Sequence, residues 1–384
     1  MRISSLVLLF GALAGIAAAD SPYFAIHVID EQTNRGVPLV ELRTVHNIRY
    51  YTDSAGWVAF HEPGLMNQDV FFFVSSDGYE FPADGFGMHG TRLTTTPGGE
   101  ATVKIKRLNV AERLYRVTGG GIYRDSVLLG KPTPIEQPLL NGLVIGQDTI
   151  FTIVHNDRIY WFWGDTSWPR YPLGNFQMSG ATSQLPGAGG LDPAIGVNLT
   201  YFVNESGFSR KMAPMSDNGA IWADAFVELR EKDGRQRMYA AYAKILPGSM
   251  NAVERGLMVL NDETQTFEKL STFPLDAPVF PTGRAFKATD GDNEYIYFAT
   301  AYPFTRVHAT PEDYCNLAAY EAFTCLAPDS RSDHPKLDRT EDGKLRYAWK
   351  HNTPPSRRRT RRSCSNRANS SPPKRYSRCV TSIQ

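Results

Sequence analysis

The chain has 384 residues, which is enough for two domains with substantial hydrophobic cores. Its formal net charge is +1 and 21% of its residues are charged, so no global field favours nucleic acid or a membrane surface as a partner. Aromatic residues make up 12% of the chain, and short β-branched and aromatic runs recur between glycine, proline, asparagine and aspartate. This pattern predicts an all-β protein.

The first nineteen residues have the features of a secretory signal. Arg2 provides a positive start, an apolar run extends from Ile3 to about Ile16, and three alanines precede Asp20. The run is too short for a stable membrane span, and no later segment is apolar over the length of a spanning helix. We therefore expect cleavage near Ala19 and a secreted or periplasmic protein without a membrane span.

Residues 20–108 predict a small antiparallel β-sandwich. The strands YFAIHVID, YYTDSAGWVAF and EATVKIKRL are separated by turn sequences at the spacing of such a fold. The pieces VIDEQTNRGVPLVEL, YYTDSAGWVAF and VSSDGYEF resemble the carboxypeptidase-regulatory, transthyretin-like modules of secreted proteins. The resemblance implies a fold and no particular activity.

Residues 109–353 predict a β-propeller. Three aromatic strands, RIYWFWGDT, RMYAAYAKI and EYIYFATAYPF, each follow a short polar turn, and weaker strands fall between them. At about 45 residues per blade, this segment would hold about five blades. A second sandwich would also accommodate these strands, so the sequence leaves that architecture open.

Two further features of the sequence are its four cysteines and its basic C-terminal segment. In an exported protein, Cys315 and Cys325 enclose a short segment and are expected to form a local disulfide. Cys364 and Cys379 support no pairing; they lie in the tail at 354–384, which holds nine Lys or Arg and no acidic residue. The tail predicts a disordered extension, out of frame with the true last strands. The alternative is a basic arm for nucleic acid or an acidic polysaccharide.

The stretch GLVIGQDTIFTIVHNDRIYWFWGDTSW predicts one hairpin with a carboxylate at each side of the same end. Asp148 lies near the start of the first strand and Asp165 at the end of the second. Glycoside hydrolysis uses one carboxyl as acid and another as base or nucleophile, and proximity with partial burial separates their pKa values. Trp161, Trp163 and Trp168 offer flat apolar faces suited to sugar rings. The alternative is that each aspartate is only a turn residue beside a core strand.

The segment GQDT…YWFWGDTSW, within residues 142–168, resembles the first blade of a secreted bacterial family that includes endo-D-arabinanases. That family is a relative of the five-bladed arabinanase and xylosidase propellers. The resemblance implies that Asp148 and Asp165 form the acid/base pair and that Asp224, in MSDNGAIWADAFVEL, is a third carboxylate that adjusts their protonation. It also implies a furanoside-containing polysaccharide, such as arabinan, as the substrate.

Further residues are candidates for holding a sugar chain or tuning the acids. They are Tyr171, Asp217, Trp222, Glu254, Arg255, Arg284 and His308. No cysteine has metal-ligand spacing with a His pair, so no metal or other cofactor is expected, and calcium in a propeller channel is left open. The sequence predicts a monomeric glycoside hydrolase. The alternatives are a non-catalytic propeller that binds glycan or protein, and a damaged product whose tail prevents the propeller from closing.

Overall fold

The computed structural model describes residues 21–215, 218–299, 302–331 and 334–355. Within them the chain forms six β-sheets, two short α-helices and two 3₁₀ turns, so the all-β prediction is confirmed. The predicted signal segment, Asp217, Cys364 and Cys379 lie outside the described residues, as does the tail from residue 356.

The chain divides into two compact units. Of the described residues, the first unit comprises 21–146 and 186–199, and the second comprises the remainder. The first unit therefore extends past the predicted sandwich border at residue 108, and that border stays a prediction.

The first unit contains eight strands in two four-stranded sheets, in the orders β4-β1-β8-β6 and β3-β2-β5-β7. The pairings are antiparallel except that of β1 with β8, which is parallel. Buried side chains of both sheets, such as Ile26 of β1 and Phe72 of β5, form one hydrophobic core. The elements are β1 (Phe24–Asp30), β2 (Glu41–Thr44), β3 (Arg49–Tyr51), β4 (Trp57–Phe60), a 3₁₀ turn (Pro63–Leu65), β5 (Asp69–Ser75), β6 (Tyr79–Glu80), β7 (Gly90–Thr94), β8 (Glu100–Arg107) and α1 (Arg124–Leu128).

The remaining strands form four sheets, in the orders β10-β11-β14-β15, β13-β12-β9, β16-β17-β18-β19 and β20-β21-β22-β23-β24. The elements are β9 (Gly146–Gln147), β10 (Ile150–His155), β11 (Arg158–Trp163), β12 (Thr166–Trp168), β13 (Tyr171–Asn175), β14 (Ser179–Gln184), β15 (Thr200–Tyr201), β16 (Ala220–Arg230), β17 (Gln236–Ile245), β18 (Ala252–Asn261), β19 (Thr266–Phe273), β20 (Arg284–Asp290), β21 (Asn293–Ala299), β22 (Pro303–His308), α2 (Pro311–Cys315), a 3₁₀ turn (Leu317–Ala319), β23 (Glu321–Thr324) and β24 (Ala348–His351).

Three of these sheets follow each other along the chain, and each has antiparallel strands that pair in chain order. Their first strands adjoin, because β10 packs against β16 and β16 packs against β20. The β16–β19 sheet is covered on both faces: Val227 belongs to a core shared with the β20–β24 sheet, and Phe226 to a core shared with the β10–β15 sheet. Burial on both faces explains why RMYAAYAKI and GLMVL are nearly continuous apolar runs.

The predicted disulfide between Cys315 and Cys325 is not formed. Cys315 ends α2 and packs half-buried at the edge of the core shared with the β16–β19 sheet, whereas Cys325 follows β23 and is fully buried. The 3₁₀ turn and β23 lie between the two cysteines, and proximity in sequence was an insufficient criterion for a disulfide. Burial raises the pKa of the Cys315 thiol.

No helix in the described part of the chain is both long and apolar enough to cross a membrane.

Candidate functional site

The second unit contains a cavity of about 450 Å³, which we call the acidic cavity. All three predicted catalytic residues, Asp148, Asp165 and Asp224, lie in its wall. One cation, Arg255, lies there as well. The aromatic side chains of the wall are Phe151, Phe162, Trp163, Trp222, Tyr242, Phe273 and Phe280. A largely apolar cavity of this size with a few converging polar groups is the usual form of a small-molecule site.

Asp148 and Asp165 are brought together by the β10–β11 hairpin. The strands pair with Ile150 opposite Trp163, so the residues just outside this pair lie at one end of the hairpin. The backbone N–H of Asp148 donates to the carbonyl of Asp165 at 3.2 Å. The backbone N–H of Asp165 donates to Oδ1 of Asp148 at 3.0 Å. The Asp165 N–H thereby orients the side chain of Asp148, and Asp148 stays exposed to solvent.

Gly164 makes room for this arrangement. Its N–H donates to the carbonyl of Asp148 at 3.0 Å. A Cβ atom at position 164 would lie 2.6 Å from Oδ1 of Asp148, closer than non-bonded atoms approach in real structures. A side chain at this position would therefore push the Asp148 carboxylate out of its place.

The carboxyl of Asp165 is only partly solvated. Its Oδ1 atom is buried and has no hydrogen-bond partner among the residues that the structure describes. Burial, and after it the negative charge of Asp148, raise the pKa of Asp165. A carboxyl in such surroundings holds a proton at higher pH than an ordinary aspartate, which is the property required of a general acid.

Asp224 is placed by a β-bulge in β16. The pairing with β17 shifts by one residue between Asp224 and Val227, and Ala225 adopts a positive φ of 54°. Bulges commonly re-aim a side chain next to a functional site. The Oδ2 atom of Asp224 accepts a hydrogen bond from the Thr282 hydroxyl at 2.8 Å and one from the Gly283 N–H at 2.6 Å.

Burial dominates the electrostatics of Asp224 and raises its pKa to about 6. The two hydrogen bonds and the positive charge of Arg255 act in the opposite direction. The Arg255 guanidinium lies over the Phe280 ring, 4.6 Å from its centroid, and both residues belong to the cavity wall.

Of the predicted sugar-binding aromatics, Trp163 and Trp222 line the acidic cavity. The indole Nε1–H of Trp222 donates to the carbonyl of Phe176 at 3.2 Å, which fixes the plane of its ring. Trp161 does not line the cavity; it stacks on Trp163 with 6.3 Å between ring centroids and donates to Ser183 at 2.8 Å. Trp161 therefore supports the wall from behind.

Three further candidates, Arg284, His308 and Tyr171, do not line the acidic cavity, although the Arg284 guanidinium lies 5.0 Å from the ring centroid of the wall residue Phe151. Arg284 donates to the carbonyl of Ile150 at 2.7 Å and is exposed. His308 stacks on Tyr295 of the neighbouring strand, with 4.3 Å between the centroids. Tyr171 is 62% exposed in the β12–β13 hairpin.

Glu254 reaches the cavity indirectly, through Tyr242. The Tyr242 hydroxyl donates to Glu254 at 2.6 Å, and Lys269 donates to the same oxygen at 2.7 Å. Lys269 and the Tyr242 hydroxyl lower the pKa of Glu254, while burial and the Glu254 charge raise that of Tyr242. Sequence reasoning missed Tyr242 because its aromatic strand is buried on both faces, so alternation did not show which rings face a cavity.

A second cavity, of about 380 Å³, lies in the same unit, and we call it the basic cavity. Arg210 and Lys211 lie in its wall, and no carboxylate is found among the described residues that line it. Trp168 packs on two residues of this wall: its indole lies 4.8 Å from the Phe208 ring, and a Cβ on Gly174 would meet it at 2.3 Å. The structure thus places Trp168 beside the basic cavity instead of the acidic one. No sequence motif indicated this cavity.

His155 is a further buried group that the sequence did not single out. It lies at the far end of the β10–β11 hairpin, and its Nδ1 and Nε2 atoms contact carboxylate oxygens of Glu228 and Asp262 at 2.5 and 2.9 Å. These carboxylates lie on opposite sides of the ring, so the three side chains tie strands together and do not converge. In the described part of the chain, no three or more His, Cys, Asp or Glu residues are grouped so that they could hold a metal ion.

No protein-family model and no curated protein matches this chain.

Proposed function

We propose that the second unit is a glycoside hydrolase domain that cleaves a furanoside-containing polysaccharide, such as arabinan, in the acidic cavity. The observation that carries the proposal is the convergence of Asp148, Asp165 and Asp224 on one cavity with an aromatic wall. Glycosidases need a pair of carboxyl groups in different protonation states beside a surface that holds a sugar ring.

The strand arrangement supports a propeller for this unit. Consecutive antiparallel sheets whose first strands adjoin are what blades around a central axis would present. The described residues supply three such sheets of four or five strands, and the count of five blades stays a prediction from length. For the first unit we propose the transthyretin-like sandwich, in agreement with its two sheets and common core. The propeller agrees with the resemblance to endo-D-arabinanases, and the sandwich agrees with the resemblance to carboxypeptidase-regulatory modules.

In the proposed mechanism, Asp165 is the general acid and Asp148 the base or nucleophile. The raised pKa of Asp165 favours a carboxyl that can give its proton to the glycosidic oxygen. Asp148 is solvent-exposed and accepts an N–H bond, which suits a carboxylate that takes a proton from water or attacks the anomeric carbon. The Asp148 charge in turn helps to keep the proton on Asp165.

Asp224 adjusts this pair in the proposal. Its pKa of about 6 lets Asp224 change charge near neutral pH, and it lies in the same cavity wall as the other two carboxyls. Trp222 supplies an apolar surface for the sugar chain, and the buried Trp163 supports the wall of the cavity.

The test is a panel of arabinan, arabinogalactan and xylan, with detection of new reducing ends. We expect the wild-type chain to release sugar from a furanoside polymer. Asp165→Asn and Asp148→Asn should each lower the rate by at least about a hundredfold while the protein stays folded. The matched control is Asp157→Asn, an exposed aspartate in the turn at the opposite end of the same hairpin. Release of sugar that survives both cavity substitutions would contradict the proposal.

The alternative is a non-catalytic propeller that binds glycan or protein with the same face. One observation favours it: Oδ1 of Asp148 and Oδ2 of Asp224 already accept main-chain N–H bonds, as structural aspartates do. Under this alternative the wild type binds a polysaccharide of the panel but releases nothing from it, and Asp165→Asn binds equally well.

We also propose export from the cell and a polysaccharide as the partner, on the basis of the N-terminal sequence and of the cavity. Cell fractionation and N-terminal sequencing of the mature protein test export, and the polysaccharide panel tests the proposed partner.

A further inference from the structure

The wall of the basic cavity contains a donor that lacks an acceptor, and a second such donor lies behind the wall. Ser209 is 1% exposed and lines the cavity, and its buried hydroxyl has no hydrogen-bond partner among the described residues. The indole Nε1–H of Trp168, packed behind Phe208 and Gly174, is also buried without a described partner. A buried donor without an acceptor costs about 1–3 kcal/mol, so the Ser209 hydroxyl favours an acceptor atom in this cavity, while the Trp168 N–H lies behind the wall.

The charge of the wall shows what kind of acceptor fits. Lys211 is exposed and Arg210 is partly buried, with its Nη2 atom donating to the carbonyls of Thr264 and Gln265 at 3.0 and 3.1 Å. None of the described residues that line this wall carries a carboxylate to balance the positive charge of Lys211. An anionic oxygen would accept from the Ser209 hydroxyl and be attracted by Lys211.

The size of the basic cavity and the remaining polar groups of its wall favour a ligand larger than a single carboxylate or phosphate. The volume of about 380 Å³ exceeds what one carboxylate or phosphate fills. Asn175 and Asn204 lie in the same wall; their Oδ1 atoms accept backbone N–H bonds from Gln177 and from Ser206 and Phe208, and their amide N–H groups can donate to hydroxyl oxygens. An anion that carries several hydroxyl groups satisfies this combination of donors.

We propose that the basic cavity is a binding site for an anionic saccharide, whose carboxylate or phosphate bonds Ser209 and faces Lys211 while its hydroxyls bond the wall amides. The site is separate from the acidic cavity and does not depend on the proposed hydrolase function. It would hold the chain to acidic polysaccharide or take up a free acidic sugar.

The test is isothermal titration calorimetry on the full chain with four probes: D-galacturonate, D-arabinose 5-phosphate, inorganic phosphate and neutral D-arabinose. We expect binding of at least one of the first two, weakened about tenfold by Ser209→Ala and by Lys211→Ala, because each removes a charge-assisted contact. Neutral arabinose should not compete with the anionic probe.

Two substitutions provide matched controls. Ser271 also carries a buried hydroxyl without a described partner but lines neither cavity, and Lys287 is an exposed lysine of β20 away from both. Ser271→Ala and Lys287→Ala should bind the probe as the wild type does, and Asp165→Asn should as well. The proposal is overturned if neither anionic sugar binds or if the controls weaken binding as much as the cavity variants do. Inorganic phosphate binding as tightly as the sugar phosphate overturns the assignment to a saccharide.

Discussion

The acidic cavity and the basic cavity belong to the same unit and have similar volumes, about 450 and 380 Å³, but their walls have opposite chemistry. The first has three carboxyl groups and one guanidinium among aromatic rings. The second has Arg210, Lys211, a buried hydroxyl and two amides. A single unit thus offers one site suited to proton transfer and one suited to holding a negative charge.

The two cavities also differ in how their functional groups are held. Asp148 and Asp165 lie at a hairpin end, and Asp224 lies at a bulge, so the sheet ladders determine their positions. The basic cavity draws most of its wall from the irregular chain between β15 and β16. Groups on rigid strands suit catalysis, which tolerates little misplacement, whereas loops commonly carry binding groups. The predictions below test this division.

The largest expected effect is that of Gly164→Ala on the acidic cavity. The added Cβ would lie 2.6 Å from Oδ1 of Asp148, so the carboxylate must move. A misplacement of about 1 Å commonly costs about a hundredfold in rate, and we expect a loss of that size in kcat/KM on the cleaved polysaccharide. The control is Gly146→Ala, where a Cβ meets nothing within 4 Å. Wild-type rates in Gly164→Ala would show that the position of Asp148 is not critical.

The second prediction concerns the part of the pH dependence of stability that Asp224 contributes in the acidic cavity. Burial raises the folded-state pKa of Asp224 to about 6, above the value of about 3.9 for an unfolded aspartate. Its contribution to stability is therefore full below about pH 4 and is lost as the pH rises through 6. Asp224→Asn should remove this loss. The free energy of unfolding of the variant minus that of the wild type should therefore be about 2 kcal/mol more favourable at pH 7.5 than at pH 4.

Urea unfolding at pH 4, 6 and 7.5 measures this difference. Ser209→Ala in the basic cavity should keep the wild-type pH dependence, because no carboxylate is altered there. An equal pH dependence in wild type and Asp224→Asn would show that Asp224 is ionised as easily as an exposed aspartate.

The third prediction separates the two cavities by their indoles. Trp222→Ala should raise KM for the polysaccharide about tenfold, because a ring face of the acidic cavity is lost, and should leave binding of the anionic probe unchanged. Trp168→Ala should weaken binding of the anionic probe about tenfold and leave KM for the polysaccharide unchanged, because Trp168 supports the wall of the basic cavity. Steady-state kinetics and calorimetry on both variants measure the four quantities. If each variant impairs both activities, the cavities do not act separately.

The smallest expected effect is that of Arg255→Gln. The Arg255 charge lowers the pKa of Asp224, so its removal should raise that pKa further and move the pH-dependent loss of stability to higher pH. Unfolding curves across pH 5–8 measure the shift, with Arg92→Gln, an exposed arginine of β7, as the control. A shift to lower pH would contradict the assigned interaction.

Part of this site was predictable from sequence because it depends on local pairing. Asp148 and Asp165 are separated by two strands and a two-residue turn, and antiparallel register brings the ends of a hairpin together whatever surrounds it. Asp224 was predicted from a resemblance, but the bulge that places it was not visible in the sequence. The rings of Phe273 and Phe280 come from distant parts of the chain, and no local pattern shows that they share a wall with Asp148.

Two predictions show where local reasoning did not suffice. The disulfide between Cys315 and Cys325 was inferred from short spacing, but α2, a 3₁₀ turn and β23 direct the chain so that the sulfurs are not bonded. Trp168 was grouped with Trp161 and Trp163 because the three are close in sequence. The turn after Trp163 and the start of β12 carry Trp168 to a different sheet and to the basic cavity.

The sequence alone determined the all-β class and the hairpin that joins Asp148 to Asp165, because strand propensity, turn residues and antiparallel register act over short distances along the chain. The tertiary structure decided which groups share a cavity, how strongly Asp224 holds its proton, and that a second cavity lined by Ser209 and Lys211 exists. These properties depend on burial and on charges brought from distant segments, and both are set only when the sheets pack against each other.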